Sequence, residues 1–151
     1  MKKSTGNLLK KQFICTILFF LTLSAFSQIS KKEKYLNNIR EKSIFTFTSG
    51  IKDALPIDLL KNFCISELDR IYIHTSFRGL NNKNQKYSCE IYDGGNNHTI
   101  TIDNKFKGAN GFYWSWSSLA IDKVNAVPGN WTFIIYLNKK MISKKTIEVY
   151  E

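Results

Sequence analysis

The chain has 151 residues, of which 43% are hydrophobic and 23% are charged, and it contains only 8 glycines and 2 prolines. This length is typical of one domain, and the composition excludes a disordered, collagen-like or coiled-coil chain. Aromatic residues make up 14% of the sequence, which favours a core built from strands. The formal net charge of +10 favours acidic partners in general and specifies none of them.

The first 27 residues have the pattern of a secretory signal peptide. Four lysines and no acidic residue precede or adjoin an apolar run over 13–23, which is too short to span a hydrocarbon core that needs about 20 residues. Ala25 and Ser27 are the small residues of a cleavage site before Gln28. We therefore expect an exported protein, periplasmic or extracellular, without a membrane span after cleavage. An uncleaved anchor and a buried core helix are the other interpretations of the apolar run.

Cleavage after Ser27 would leave 18 basic residues against 12 acidic ones, a formal charge of +6. Four of the remaining lysines form a basic hairpin near the end of the chain: Lys139, Lys140, Lys144 and Lys145. Lysines of this kind also protect edge strands from aggregation. An exported protein rarely meets nucleic acid, so an anionic surface polymer or a lipid headgroup fits these lysines better.

Helical spacing gives way to strand spacing early in the mature chain. Ser30 and Glu33 form a capping-box pattern that predicts a helix over 31–42, within an N-terminal segment 28–42. From Ser43 onward apolar and polar residues alternate with period two, which predicts strands. Pro56 leaves the segment 52–63 ambiguous. The alternating segments are 43–50, 71–78, 87–92, 98–102, 112–117, 131–137 and a final strand around 147–149.

The absence of helical segments between these strands determines the expected fold class. Parallel neighbours need crossovers of a dozen or more residues, usually helices, so the sheet order is expected to be antiparallel. One-faced alternation suits two sheets that pack face to face. We expect residues 43–151 to form an all-β, antiparallel, immunoglobulin-like β-sandwich of about seven strands.

The end of the chain resembles the closing hairpin of bacterial secreted and envelope modules with an immunoglobulin-like sandwich fold. Residues 128–140 read Pro-Gly-Asn-Trp-Thr-Phe-Ile-Ile-Tyr-Leu-Asn-Lys-Lys, and Ile-Glu-Val follows at 147–149. In those modules a Gly-x-Trp-Thr start, a long alternating strand, an Asn/Asp-Gly turn and a last strand recur. Here Lys139 stands where the turn glycine is usual. The resemblance covers mainly 128–150 and implies a fold, without a catalytic residue.

Motifs that carry chemistry are nearly absent from the sequence. His74 and His98 have no companions at the spacing of a zinc site, so no metal site is expected. Ser49 and Lys52 match an S-x-x-K pattern whose companion motifs are missing. The Asp-Gly-Gly-Asn-Asn segment at 93–97 is explained by a hairpin turn. We expect no catalytic residue and no cofactor, and hence no enzyme.

The function expected on these grounds is that of a secreted or periplasmic binding or structural module, with a protein or glycan of the cell envelope as its ligand. An inhibitor, immunity or accessory protein of an extracytoplasmic system is the main alternative. A small hydrolase is the third and least favoured class, because no active-site constellation is recognisable.

Residue parity divides the aromatic side chains between the two faces of the strands. Trp114 and Trp116 share parity with Phe112 and oppose serines, and Trp131 aligns with Phe133, so the tryptophans are expected in the core. Five tyrosines of the opposite parity form the candidate binding surface: Tyr72, Tyr92, Tyr113, Tyr136 and Tyr150. A surface platform made by Trp114 and Trp116 is the second candidate.

Two cysteines remain after removal of Cys15 with the leader. In an oxidising compartment two cysteines favour one disulfide, so Cys64 and Cys89 are expected to be bonded. Two buried free thiols, packed as small hydrophobic residues, are the alternative.

Overall fold

The computed structural model describes residues 27–53 and 55–151. The predicted signal peptide lies almost entirely outside these residues. One helix, α1, covers 27–42 and thus begins at least four residues earlier than the capping box predicts. No helix in the described ranges is long and apolar enough to cross a membrane. A boundary between two compact units falls after Asn37, and the fold described below is that of the second unit.

Ten strands follow α1 in the described part of the chain. They are β1 (Ile44–Thr48), β2 (Ile51–Lys52), β3 (Leu55–Pro56), β4 (Asn62–Cys64), β5 (Arg70–Arg78), β6 (Asn84–Tyr92), β7 (His98–Lys107), β8 (Phe112–Ala120), β9 (Gly129–Leu137) and β10 (Lys140–Tyr150). The seven longer strands include every segment that alternation predicts. The ambiguous segment 52–63 supplies parts of the three short ones.

The strands form two main sheets and one short hairpin. The three-stranded sheet has the order β1-β5-β8, and the five-stranded sheet has the order β4-β10-β9-β6-β7, while β2 pairs with β3. All pairings are antiparallel except that of β4 with β10, which is parallel. The expected all-β class with an N-terminal helix is therefore confirmed. The strand count and the mixed sheet differ from the seven-stranded antiparallel arrangement.

The core lies between the inner faces of the two main sheets. Phe47 of β1 meets Phe133 of β9 with ring centroids 4.5 Å apart, and Phe77 of β5 meets Tyr87 of β6 at 5.7 Å. Buried positions alternate along β6 and β9, as period two requires. The fully buried residues include Ile71, Ile73, Phe77, Tyr87, Cys89, Ile91, Phe133, Ile135 and Leu137.

The turn after β6 needs a glycine because two backbone segments meet there. A Cβ atom on Gly94 would lie 1.8 Å from the carbonyl oxygen of Pro128, so any larger residue would separate the two segments. Asp93 Oδ1 accepts a hydrogen bond of 2.8 Å from the Asn97 N–H. Residues 93–97 are thus a turn closed by its own aspartate, in agreement with the hairpin interpretation.

The expected disulfide between Cys64 and Cys89 is absent, and both cysteines are buried free thiols. Cys64 lies on β4 and Cys89 on β6, with β10 and β9 between these strands. Three strand spacings separate the two positions sideways by about 14 Å, which is already twice the Cα distance that a disulfide can bridge. The register separates them further along the strands, because Cys64 is opposite Tyr150 whereas Cys89 is in line with Ser143. The sequence could not reveal this separation because it does not specify the strand order.

We expect the folded protein to contain two thiols of low reactivity. Burial raises the pKa of the Cys89 thiol to about 12, so almost no thiolate exists at neutral pH. Alkylation of Cys89 should be slow in native protein and fast after unfolding. Mass spectrometry without reductant checks this outcome, and a species that lacks two hydrogens and takes up no alkylating reagent would contradict it.

The expected core position of the tryptophans is right for one and wrong for two. Trp131 is only 2% exposed and its indole N–H donates to the Val127 carbonyl at 2.8 Å. Trp114 is 47% exposed, and Trp116 is only partly buried. Ser115 and Ser117 take the inward positions of β8 instead, opposite Thr75 and Ile73 of β5.

The tryptophans therefore differ in their contribution to stability. Trp131→Ala should reduce the free energy of unfolding by about 3–5 kcal/mol because it opens a cavity in the core. Trp114→Ala, at an exposed position, should change it by less than about 0.5 kcal/mol. Denaturant titration of both variants checks the difference. Equal losses would contradict the orientation of β8.

Candidate functional site

Aromatic side chains gather on the outer face of the three-stranded sheet. The register places Trp116 opposite His74, Trp114 opposite Ser76 and Phe112 opposite Arg78. Tyr72 is the next outward residue of β5. We call these outward residues the aromatic face: Tyr72, His74, Arg78, Phe112, Trp114 and Trp116.

Two ring contacts order the aromatic face. The His74 and Trp116 rings lie 4.4 Å apart at 37°. The Arg78 guanidinium stands 5.7 Å from the Phe112 ring centroid, within the range of a cation–π interaction. Phe112 and Trp114 remain 38% and 47% exposed. The face therefore offers fixed rings that are still open to solvent.

Trp116 carries a polar group without a partner. Its indole Nε1 is buried, and it has no hydrogen-bond acceptor among the described residues. A buried donor left unpaired costs about 1–3 kcal/mol. The adjacent His74 is also affected by its surroundings, because burial lowers the pKa of its imidazole below the ordinary value. This lowering of the pKa favours the uncharged form of the His74 ring.

The five tyrosines of the first candidate surface do not form one patch. Tyr72 belongs to the three-stranded sheet, whereas Tyr92, Tyr136 and Tyr150 are on the five-stranded one. Tyr113 is opposite the fully buried Phe77, so its expected outward position is wrong. It is half-buried because its ring stacks on Phe106 with centroids 3.6 Å apart.

Two of the tyrosines do meet, on the outer face of the five-stranded sheet. The hydroxyls of Tyr92 and Tyr136 both donate to Glu90 Oε2, at 3.2 and 3.1 Å. Burial, and then the bond to Glu90 and its charge, raise the pKa of both phenols. The neutral tyrosines thus hold one carboxylate oxygen, an arrangement that cross-strand pairing explains.

Another group of polar side chains holds Asp58 beside the end of β1. Asp58 accepts hydrogen bonds from the Ser49 hydroxyl, from Thr48 Oγ1 at 2.7 Å and from the Ser49 N–H at 2.8 Å. Burial raises the pKa of Asp58, but these bonds outweigh it and hold that pKa below its ordinary value. Ser49 is thereby engaged with an aspartate. No group of three His, Cys, Asp or Glu residues in 27–53 and 55–151 could hold a metal ion.

The structure divides the basic hairpin into two pairs. Lys139 and Lys140 are at the turn between β9 and β10, next to the start of β6, where the Asn138 N–H donates to the Lys86 carbonyl at 2.8 Å. Lys144 and Lys145 lie further along β10, opposite Ile134 and Phe133. The four lysines therefore do not make one site.

Sequence reasoning named Trp114 and Trp116 but missed His74, Arg78 and Phe112 as members of the aromatic face. The alternation of β5 already separated its polar residues from its apolar ones. What was missing was the register between β5 and β8, which sets the rings beside each other. Register depends on pairing across 40 residues of chain and cannot be obtained from either strand alone.

No family model matches the sequence, and no curated protein matches it. Among solved structures, the chain is similar to an immunoglobulin-like protein from Pseudomonas aeruginosa, at 8% identity and a TM-score of 0.46, over 70% of this chain and 91% of that one. It is also similar to an alkylpurine DNA glycosylase from Pseudomonas fluorescens bound to DNA containing an abasic site analog, at 13% identity and a TM-score of 0.46, over 71% of this chain and 30% of that one. Neither extends beyond the fold.

The contact between His74 and Trp116 predicts a measurable shift. Trp116→Ala should hydrate the imidazole and return the His74 pKa upward toward about 6.5. Because the folded-state pKa is lowered, stability from this group is present above about pH 6.5 and is lost as the pH falls. NMR titration of the ring protons checks the pKa. Trp114→Ala, opposite Ser76, is the control, and an unchanged His74 pKa in Trp116→Ala would contradict the contact.

Proposed function

We propose that the chain is an exported, non-catalytic binding module with an immunoglobulin-like β-sandwich fold, and that it holds a glycan on its aromatic face. The observation that carries this proposal is the exposure of Trp114 and Phe112 beside the packed rings of His74 and Trp116. Export is supported by the lysine-rich start and the short apolar run of the first 27 residues.

The composition of the aromatic face favours a sugar over a protein surface. A pyranose ring presents C–H bonds on its faces and hydroxyls at its rim. The aromatic face matches the C–H faces through the exposed rings of Trp114 and Phe112, and the hydroxyl rim through the exposed Arg78 guanidinium at its end. Aromatic rings also bury a large area with little loss of side-chain entropy. Fixed rings on strands need little further ordering when a ligand binds.

The unpaired indole N–H of Trp116 supports the same ligand class. Because this Nε1 is buried, a sugar hydroxyl would reach it only when the Trp116 ring turns toward solvent on binding, and the sugar oxygen would then be the acceptor that the N–H lacks. Arg78, held over Phe112, adds a charged donor at the end of the face. The spacing of Trp114 and Trp116 along β8 is about 7 Å, so consecutive rings can contact consecutive parts of one chain.

A non-catalytic role is supported by the state of the acidic groups. Asp58 and Glu90 are held by hydrogen bonds from neighbouring residues, and neither belongs to the aromatic face. A glycosidase would need two carboxyl groups on either side of the scissile bond. The aromatic face itself has one arginine and one histidine.

Variants of the aromatic face should separate binding from stability. Trp114→Ala should weaken retention on the recognised polysaccharide by about tenfold or more, which corresponds to about 1.4 kcal/mol, with an unchanged melting temperature. Trp116→Phe removes the unpaired N–H, so it should weaken binding without destabilising the fold. Affinity electrophoresis against a panel of envelope polysaccharides measures both effects.

Tyr150→Ala is the matched control, because Tyr150 is also 47% exposed but lies on the other sheet. It should bind as the unmodified protein does. Equal binding by Trp114→Ala, or an equal loss in Tyr150→Ala, would refute the assignment of the site to the aromatic face.

A further inference from the structure

A concave surface lies at the end of the five-stranded sheet, where β6 begins, β7 ends and the β9–β10 turn closes. It is an open cleft of about 550 Å³, within the size range of small-ligand sites. We call it the lysine cleft, and its residues used below are Gln85, Lys86, Lys105, Phe106, Lys107 and Asn138.

Positive charge is concentrated at this end of the sheet. Lys86, Lys105 and Lys107 line the cleft, and the adjoining turns carry Lys83, Lys139 and Lys140. The strand ends and turns over 79–88, 103–111 and 136–143 contain one acidic residue, Asp103. Asp103 Oδ2 lies 3.2 Å from Lys86 Nζ. Within the described ranges, Lys105 and Lys107 have no such carboxylate partner.

Two features of the lysine cleft oppose folding stability. Lys86 and Lys105 are directly opposite each other on β6 and β7, and like charges in that position destabilise a sheet. Lys139 has a φ of 64°, a left-handed conformation that favours glycine. Unfavourable local choices of this kind cluster at functional sites. An anion placed between the lysines would relieve the repulsion.

The floor of the cleft is ordered before any ligand arrives. The Asn138 side chain donates to Gln85 Oε1 and accepts from the Lys86 N–H at 2.9 Å. Gln85 Nε2 in turn donates to Asn81 Oδ1 at 2.6 Å. Phe106 is stacked on Tyr113 with an interplanar angle of 12°. The cleft thus combines amides fixed by hydrogen bonds with three lysines on one face of the sheet.

We propose that the lysine cleft binds an acidic polysaccharide, one that carries sulfate or carboxylate groups, at a site separate from the aromatic face. The lysines, which share one face of the sheet, would neutralise the acidic groups, and the exposed Asn138 side chain at the turn would contact the sugar ring between them. The volume fits a sugar residue better than a lone inorganic ion. This inference does not rest on the function proposed for the aromatic face.

The test compares dextran sulfate with unmodified dextran of the same length, because the two share one backbone. Lys105→Gln/Lys107→Gln should bind dextran sulfate about tenfold more weakly. It should also flatten the slope of log affinity against log salt by about 2, one for each lost contact. Unmodified dextran should bind neither protein at this site. Isothermal titration calorimetry over a salt series gives both quantities.

The matched control is Lys144→Gln/Lys145→Gln, which removes the same charge from the same sheet away from the cleft. It should reduce the affinity less than about twofold. Lys105→Gln alone should melt at the same or a higher temperature, since it removes the repulsion with Lys86. Its weaker binding would then not be caused by unfolding. Tyr150→Ala, which lies outside the lysine cleft, should leave dextran sulfate binding unchanged.

Three results would overturn the proposal. An equal loss in the two lysine pairs would mean general attraction by net charge. Tighter binding of a single-stranded oligonucleotide than of dextran sulfate, abolished in Lys105→Gln/Lys107→Gln, would assign the cleft to nucleic acid. Binding to phosphatidylglycerol vesicles without binding to dextran sulfate or polygalacturonate would assign it to a lipid surface.

Discussion

The position of Tyr87 between the two sheets decides which side of β8 faces the core. Its ring is fully buried against Phe77, and its hydroxyl lies 3.3 Å from Thr75 Oγ1. Burial raises the pKa of this phenol, which also bonds to Ser117. A large side chain from one sheet requires small ones opposite, so Ser115 and Ser117 fill the middle inner positions of β8. Because strand side chains alternate, Trp114 and Trp116 are then outside.

The junction of the two sheets at β7 and β8 has a similar effect on the other surface. Phe106 stacks on Tyr113, and the Asn104 side chain donates to the Tyr113 hydroxyl at 2.7 Å. These contacts tie the end of β7 to the start of β8. They keep Phe106 in place beside Lys105 and Lys107, which line an open cleft. One ring pair therefore supports the fold and one side of a charged surface.

Two carboxylates outside these surfaces hold separate parts of the chain together. Asp58 joins the end of β1 to the segment before β4, and Glu90 joins β6 to β9 through Tyr136. Cys89 is a small buried side chain whose raised pKa keeps it protonated. The aromatic face and the lysine cleft differ from these groups, because each contains a polar or charged group whose interactions within the protein are incomplete or unfavourable. Trp116 lacks an acceptor for its N–H, and Lys105 opposes another lysine.

Local sequence determined the type and approximate place of the longer elements, since period-two alternation is a property of each strand by itself. It also placed Trp131 in the core and closed the turn at 93–97. The alternation along β8 led to the wrong prediction that Trp114 and Trp116 are in the core, because tryptophan and serine alternate in the same way whichever side is buried. Strand order, which separates Cys64 from Cys89, and register, which sets His74 beside Trp116, involve residues far apart in the chain. Only the tertiary structure decided them, because packing between the two sheets selects the buried side and hence the surface available to a ligand.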